Sequence, residues 1–242
     1  MGVTQTKKTV CIIAAGGTGS RLKSTEDKPY VRINGVPLIV RTVGIFNHLQ
    51  SIDAVILSVH PEKIKKCKIL MKKYGMHKVS AIVAGGATRQ DSVYNGLCSA
   101  PPDTELVVIH DCARPFTVPS LVTKAVKSAR KYGGAVVGVR AYDTLKRVDS
   151  RDIVEKTINR TIICHAQTPQ VFSYPTLCEM YKKAKTQKLC ATDDSFLYEN
   201  YGSTVKMVLH DSCNMKITTA GDLKLAKLMF LDKNSGCKRR QS

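Results

Sequence analysis

Residues 9–31 read TVCIIAAGGTGSRLKSTEDKPYV: an apolar run opens directly into a loop holding three glycines, an arginine and two lysines. The run 9–15 shows little polar alternation, as a strand covered on both faces should, and it points to the first strand of a parallel sheet. Glycines at its exit let backbone N–H groups approach an anion, and a following helix N-terminus favours negative charge. Two familiar phosphate loops do not fit. In the dinucleotide fingerprint the third glycine allows close helix–strand packing. Counted from Gly17 that position is Leu22, and no acid ends the next apolar run at LSVHP (57–61). The P-loop needs Gly-Lys followed by Ser or Thr, which is absent. What the loop offers instead is Arg21 and Lys28, seven residues apart beside the same amides. Such a pair suits a nucleoside triphosphate whose α-phosphorus is to be attacked.

Outward from this loop, short apolar runs recur at βα spacing: DAVILSV (53–59), VSAIVA (79–84), ELVVIH (105–110) and GAVVGV (134–139). Segments of helical period lie near 37–49, 61–74, 89–99 and 118–132. The alternation predicts an α/β fold, a Rossmann-like, mainly parallel sheet with helices on both faces. After Val139 the pattern changes: RAYDTLKRVDSRDIVEKTINRTI (140–162) alternates polar and apolar residues around a turn cluster, DSRD. This reads as an extended β-hairpin arm, near 140–165, leaving the main domain. The chain is then expected to return through a loop, HAQTPQVF (165–172), and a helix opening near Pro175. It closes with a helix over 192–201, a strand STVKMVL (203–209) and a last helix, 219–231, capped by Thr218 or Thr219. One domain, 1–232, is expected, with a disordered basic tail over 233–242.

No stretch among the 242 residues approaches the ~18 to 20 apolar residues of a membrane span. The N-terminus has no apolar signal region and is too short before the first strand for a transit peptide, so a cytoplasmic protein is expected. Gly2 and Thr6 match the loose myristoylation pattern, although one acyl chain anchors weakly. Nine cysteines form no CxxC pair and no zinc spacing, as expected of reduced, mostly buried thiols. The net charge of +19 raises nucleic-acid binding as a function class. Against it, the cations alternate with apolar residues along helical segments, aromatics are few, and no RNA- or DNA-binding signature appears. No specific nucleic-acid partner is therefore expected. Anionic small substrates explain part of the charge and leave the rest without a source.

The segment AAGGTGSRL…DKP resembles the AGGxGxRM…PKQ signature of nucleotidyltransferases with a GT-A-like fold. Six later segments narrow the likeness: GGATRQDSVYNGL (85–97), VIHDCARPF (108–116), DTLKRV (143–148), HAQTPQVF (165–172), TDDSFLYENYG (192–202) and NMKITTAGDL (214–223). Their order and spacing are similar to those of the 2-C-methyl-D-erythritol 4-phosphate cytidylyltransferases and their relatives that use ribitol 5-phosphate. The likeness covers residues 9–230.

That resemblance implies in-line attack by a polyol-phosphate oxygen on the α-phosphorus of CTP, with pyrophosphate leaving. The nucleophile is already ionised at neutral pH, so catalysis rests on positioning and charge neutralisation. Arg21, Lys28 and Lys216 are then the catalytic cations. Ala14, Ala15, Gly16, Gly17 and Gly19 would bind the nucleotide together with Asp111 and Cys112, and Asp111 would hold Mg²⁺. Backbone at Gly85, Gly86 and Ala87 and the Ser92 hydroxyl would read the cytosine edge, and Arg89 would serve the ribose or brace the loop. Arg114, Thr144, Arg160, Thr168 and Thr192 match the acceptor's positions. The arm carrying Thr144 and Arg160 would reach a second subunit, implying a homodimer with composite sites. His110 reads as a packing residue, and the Asp193-Asp194 pair as a helix cap. Three departures stand out: Asp27-Lys28-Pro29 replaces Pro-Lys-Gln, Ala87 stands where an acid or amide is common, and Cys164 replaces an aromatic. None removes a charged catalytic group, so activity is expected. DTLKRV and TDDSFL favour methylerythritol phosphate over ribitol phosphate as acceptor.

Overall fold

The computed structural model describes residues 7–17 and 26–238, the stretch 232–238 as backbone only. Gly2, Thr6, Gly19 and Arg21 lie outside the described residues. The chain runs β1 (Lys8–Ala15), a 3₁₀ turn (Lys28–Tyr30), the ribbon β2 (Arg32–Ile33) and β3 (Val36–Pro37), α1 (Leu38–Asn47), β4 (Ala54–Val59), α2 (Ile64–Lys73), β5 (Val79–Ala84), α3 (Arg89–Leu97), β6 (Thr104–Asp111), α4 (Pro119–Tyr132) and β7 (Gly134–Arg140). The arm follows as β8 (Leu145–Val148) and β9 (Val154–Ile158), then β10 (Cys164–Ser173), α5 (Tyr174–Thr186), α6 (Asp194–Asn200), β11 (Val205–Leu209) and α7 (Ala220–Lys238).

Seven strands make one sheet in the order β11-β7-β10-β6-β1-β4-β5. Its strands are parallel except β10, which runs antiparallel to both neighbours. The pleat of β1 shows why its run is apolar throughout. Val10 and Ile12 join the core under α3, α5 and α6, while Cys11 and Ile13 join the core under α1, α2, α4 and α7. All four are fully buried.

The run 165–172, expected as a loop, is a strand instead. Its Thr168-Pro169 pair hides the pattern. Pro169 has no N–H to give to a ladder, and the pairing with β7 shifts register between Ala166 and Gln170. The strand is thus two short paired pieces joined at the proline. Two boundaries also differ. α6 begins at Asp194 with Asp193 as its cap, the Asp193 carboxylate accepting from the Phe196 amide at 2.9 Å. The last helix is capped by Thr219, whose Oγ1 accepts from the Asp222 amide at 3.2 Å, and its backbone continues past 231 to Lys238, into the stretch read as tail.

Two features of this fold position a site. The chain leaves β1 for β4 and β5 on one side, then returns to β6 on the other, so a crevice opens at the carboxyl ends of β1 and β6. Helix α3 lies hard against β1: a Cβ on Gly96 would stand 2.6 Å from Ile12 Cγ2. Only glycine allows that approach, which fixes where the first turn of α3 meets the crevice. The arm, by contrast, stands clear. Its tip is closed by Asp149, which accepts from the amides of Arg151 (2.9 Å) and Ile153 (3.0 Å).

Candidate functional site

A cavity of about 380 Å³ fills the crevice. Ala14, Ala15, Gly16 and Gly17 line one wall, Gly86, Ala87, Thr88, Arg89 and Ser92 another, and Lys28, Asp111, Cys112 and Lys216 complete it. The amide of Cys112 donates to the Ala14 carbonyl at 3.2 Å, which ties the ends of β6 and β1 together.

The loop between β5 and α3 is braced from within. Gly85 donates its amide to the Val59 carbonyl at 2.7 Å. A Cβ on Gly86 would come within 2.2 Å of Asp91 Cβ, so this position accepts glycine only. Thr88 caps α3 through a capping box with Asp91. Ser92 Oγ accepts from the Gly86 amide (3.1 Å) and donates to the Thr88 carbonyl (2.9 Å). Its one proton is therefore committed to the loop, and one lone pair is left over.

Asp111 is the hub. Its Oδ1 accepts from Arg89 Nε at 3.1 Å, its Oδ2 lies 2.7 Å from Lys216 Nζ, and Arg114 Nε stands 3.7 Å from Oδ2. Burial alone would raise the carboxyl pKa, but Arg89, Lys216 and Arg114 together hold it well below the usual carboxylate range. Asp111 is thus an anion at any physiological pH. Arg89 is fixed from its other end by Asp194, Nη2 to Oδ2 at 2.8 Å. Burial would weaken the guanidinium's charge, and the Asp194 and Asp111 carboxylates more than offset that. Asp194 is itself 1% exposed and accepts a hydrogen bond from the Tyr181 hydroxyl.

Other residues singled out in the sequence lie elsewhere. Gly85 sits beside the cavity rather than in its lining. Thr168 is buried, and its Oγ1 accepts from the Asp111 amide at 3.1 Å and lies 3.1 Å from His110 Nδ1. Arg114 is turned into the protein, donating from Nη1 to the Asn214 carbonyl at 2.8 Å. Both brace Asp111 from behind. Thr192 is exposed just ahead of α6. Thr144 and Arg160 belong to the arm and do not line the cavity, and Arg160 donates to the Tyr142 carbonyl. His110 is fully buried beside Phe46, and burial pushes its pKa down to about 4, as suits a neutral packing residue.

Sequence reading missed Asp194 as an anchor and Thr88 and Thr218 as wall residues. The capping-box spacing of Thr88 and Asp91 was a usable signal for one of them. For Asp194 the only signal was its acid type, and the cap reading absorbed it.

Among the described residues no cluster of three His, Cys, Asp or Glu converges, and Asp111 is the only acid in the cavity lining. One ionised carboxylate is enough for a Mg²⁺ that takes its remaining ligands from phosphate and water oxygens, so the donor set fits that ion.

A glycine-lined crevice with lysines around a single ionised carboxylate has the chemistry to hold a polyphosphate. The fold and the site define a nucleotidyltransferase. The family model that matches residues 9–232 is that of IspD, 2-C-methyl-D-erythritol 4-phosphate cytidylyltransferase, and the chain belongs to this family. A 2-C-methyl-D-erythritol 4-phosphate cytidylyltransferase of Syntrophus aciditrophicus is 40% identical over 230 residues, 95% of this chain and 98% of the relative. One from Clostridium botulinum strain Langeland is 38% identical over 220 residues, 91% of this chain and 96% of the relative. Among solved structures, the 4-diphosphocytidyl-2C-methyl-D-erythritol synthase of Anaerococcus prevotii superposes with a TM-score of 0.83 at 31% identity, covering 93% of this chain and 96% of that one.

Proposed function

We propose that the protein transfers CMP from CTP to the phosphate of 2-C-methyl-D-erythritol 4-phosphate, giving 4-diphosphocytidyl-2-C-methyl-D-erythritol and pyrophosphate, a step toward isoprenoid precursors. The observation that carries this reading is Asp111 at the strand end, held ionised by Arg89 and Lys216 in a glycine-lined crevice. Backbone amides at Gly16 and Gly17 receive the phosphates, with Lys28 beside them, and Arg21 keeps the charge-stabilising role that the family resemblance implies for it. Lys216 moves from the Asp111 carboxylate to the α-phosphate, where its charge meets the negative charge building in the transition state. The acceptor phosphate oxygen attacks the α-phosphorus, the bond to the bridging oxygen breaks, and pyrophosphate leaves with that electron pair. Asp111 would hold the Mg²⁺, which neutralises charge on the CTP phosphate oxygens when bound. Backbone at 85–87 and the remaining Ser92 lone pair read the donor and acceptor edge of cytosine.

The acceptor side is built by two chains in this reading. Thr144 and Arg160 stand on an arm that also exposes Tyr142, Ile153 and Val154, which supports a homodimer whose arms reach across. Purified protein with CTP and Mg²⁺ should release pyrophosphate only when the methylerythritol phosphate is added, and EDTA should stop it. UTP should be a poor donor. Faster turnover with ribitol 5-phosphate, or equal rates with CTP and UTP, would overturn the assignment.

A further inference from the structure

The charge of the molecule is divided unequally between its two helix layers. Helices α1, α2 and α4, all on one face of the sheet, carry ten Lys and Arg and no Asp or Glu. Helices α3, α5 and α6 on the other face carry four of each sign. Of the ten, Arg41 is turned inward, its guanidinium 4.0 Å from the Phe230 ring centroid, and the other nine are exposed. Only Lys66 and Arg130 among them stand near an acid among the described residues, Glu26 at 3.7 Å and Glu105 at 3.5 Å. The fourth helix of this layer, α7, adds four lysines and two aspartates. A solvated helix face normally mixes the two signs more evenly, so a layer this basic calls for a cause.

The same layer exposes large aliphatic side chains. Helix α7 packs its Ala226 into that core and its Phe230 onto Phe116. Its opposite side shows Leu225, Leu228 and Leu231, at 50%, 61% and 52% exposure, interleaved with exposed Lys224 and Lys227. Ile69 of α2, 67% exposed, stands among Lys65, Lys66, Lys68, Lys72 and Lys73. The nucleotide crevice opens at the carboxyl edge of the sheet and meets this layer only at its border, at Leu38 and Thr218.

We propose that the layer formed by α1, α2, α4 and α7 is a docking face for an anionic lipid bilayer. Lysines of α2 and α4 would lie at the headgroups, with the α7 leucines and Ile69 dipping into the interface. Lysines interleaved with exposed leucines are the pattern of surfaces that lie on a membrane without crossing it. A second copy of the chain fits poorly, because apposed faces would set lysine against lysine. Nucleic acid would use the lysines and leave the leucines against water or phosphate. A bilayer satisfies both kinds of side chain. It also gives a source for the charge that anionic substrates leave unexplained.

Co-sedimentation with vesicles tests this. The full chain should partition onto phosphatidylcholine vesicles containing phosphatidylserine, and not onto pure phosphatidylcholine, with binding weakened by added salt. Each lysine at the surface contributes about fivefold, so the triple variant Lys68→Glu, Lys72→Glu, Lys127→Glu should bind at least ~100-fold less. Leu225→Ser with Leu228→Ser should cost at least ~10-fold through lost apolar burial. Both variants should keep the wild-type melting temperature, since every substituted side chain is exposed. Absence of binding to the anionic vesicles overturns the proposal. So does a leucine variant that binds as well as wild type, or random-sequence duplex DNA that binds more tightly than the vesicles, which would mark a nucleic-acid surface.

Discussion

In the crevice, Asp111 is held by Arg89, Lys216, Arg114 and the Thr168 brace, which come from α3, the approach to α7, the end of β6 and β10. On the arm, Arg160 reaches only as far as the Tyr142 carbonyl of the same excursion and stays exposed. Both regions carry residues assigned to one reaction. The difference lies in where their order comes from. In the crevice, Asp111 and Arg89 are tied within one chain to buried carboxylates and cations, and Lys216 rests on Asp111. Arm residues have only local partners and carry an exposed apolar surface. Under the proposed function, pre-organisation would therefore be intrinsic at the nucleotide end of the site and conditional on a partner at the acceptor end.

The comparison can be broken first at Asp194. Asp194→Asn leaves the part-buried Arg89 guanidinium with Asp111 as its remaining carboxylate, so the loss should fall below the about 3–5 kcal/mol of a fully buried pair broken outright. Denaturant unfolding should show that loss, and unchanged stability would mean that Arg89 is not anchored there. Lys216→Ala should next lower kcat by ~10² to 10³-fold, as for one preorganised charge-stabilising donor, and Lys28→Ala should behave alike. A rise in KM at constant kcat would place these lysines in ground-state binding instead.

The arm's dependence on a partner is tested by mixing Arg160→Ala with Lys28→Ala. Each homodimer lacks one charge at every site, whereas a mixed dimer has one intact site of two. With free exchange and an isologous dimer, roughly a quarter of wild-type activity should return. Mixed dimers no more active than their parents would place Arg160 in its own chain's site. The smallest effect is expected at the arm's Arg147, which pairs with Glu155 at 2.5 Å in an exposed setting. Arg147→Ala should shift Tm by less than about 2 °C.

How far the sequence could be read follows the same division between local and distant causes. Strands β1, β4, β5, β6 and β7 are legible because each is covered on at least one face and announces itself by composition. Lys28 beside the glycines and Asp111 at a strand end are legible from local pattern, whereas Lys216, between β11 and α7, is legible only through the family resemblance. β10 is not, since its pairing partners β6 and β7 supply the order that its own Thr168-Pro169 disguises. Asp194 is hidden for a related reason. Its neighbour Asp193 does cap α6, and nothing local says that Asp194 instead turns toward Arg89 on another helix. For Arg89 the sequence allows ribose contact or loop bracing, and the structure ties it to two carboxylates.

The arm has a further property, set by where it leaves and returns. β7 ends at Arg140 and β10 begins at Cys164, and these two residues face each other in the ladder, with the Ala141 amide bonded to the Ile163 carbonyl at 3.1 Å just beyond. Residues 141–163 therefore form a cassette spliced between two adjacent rungs, and its excision asks nothing of the sheet. A short Asn-Gly turn joining Arg140 to Cys164 should close the same hairpin. The product would be an armless chain that keeps its nucleotide crevice.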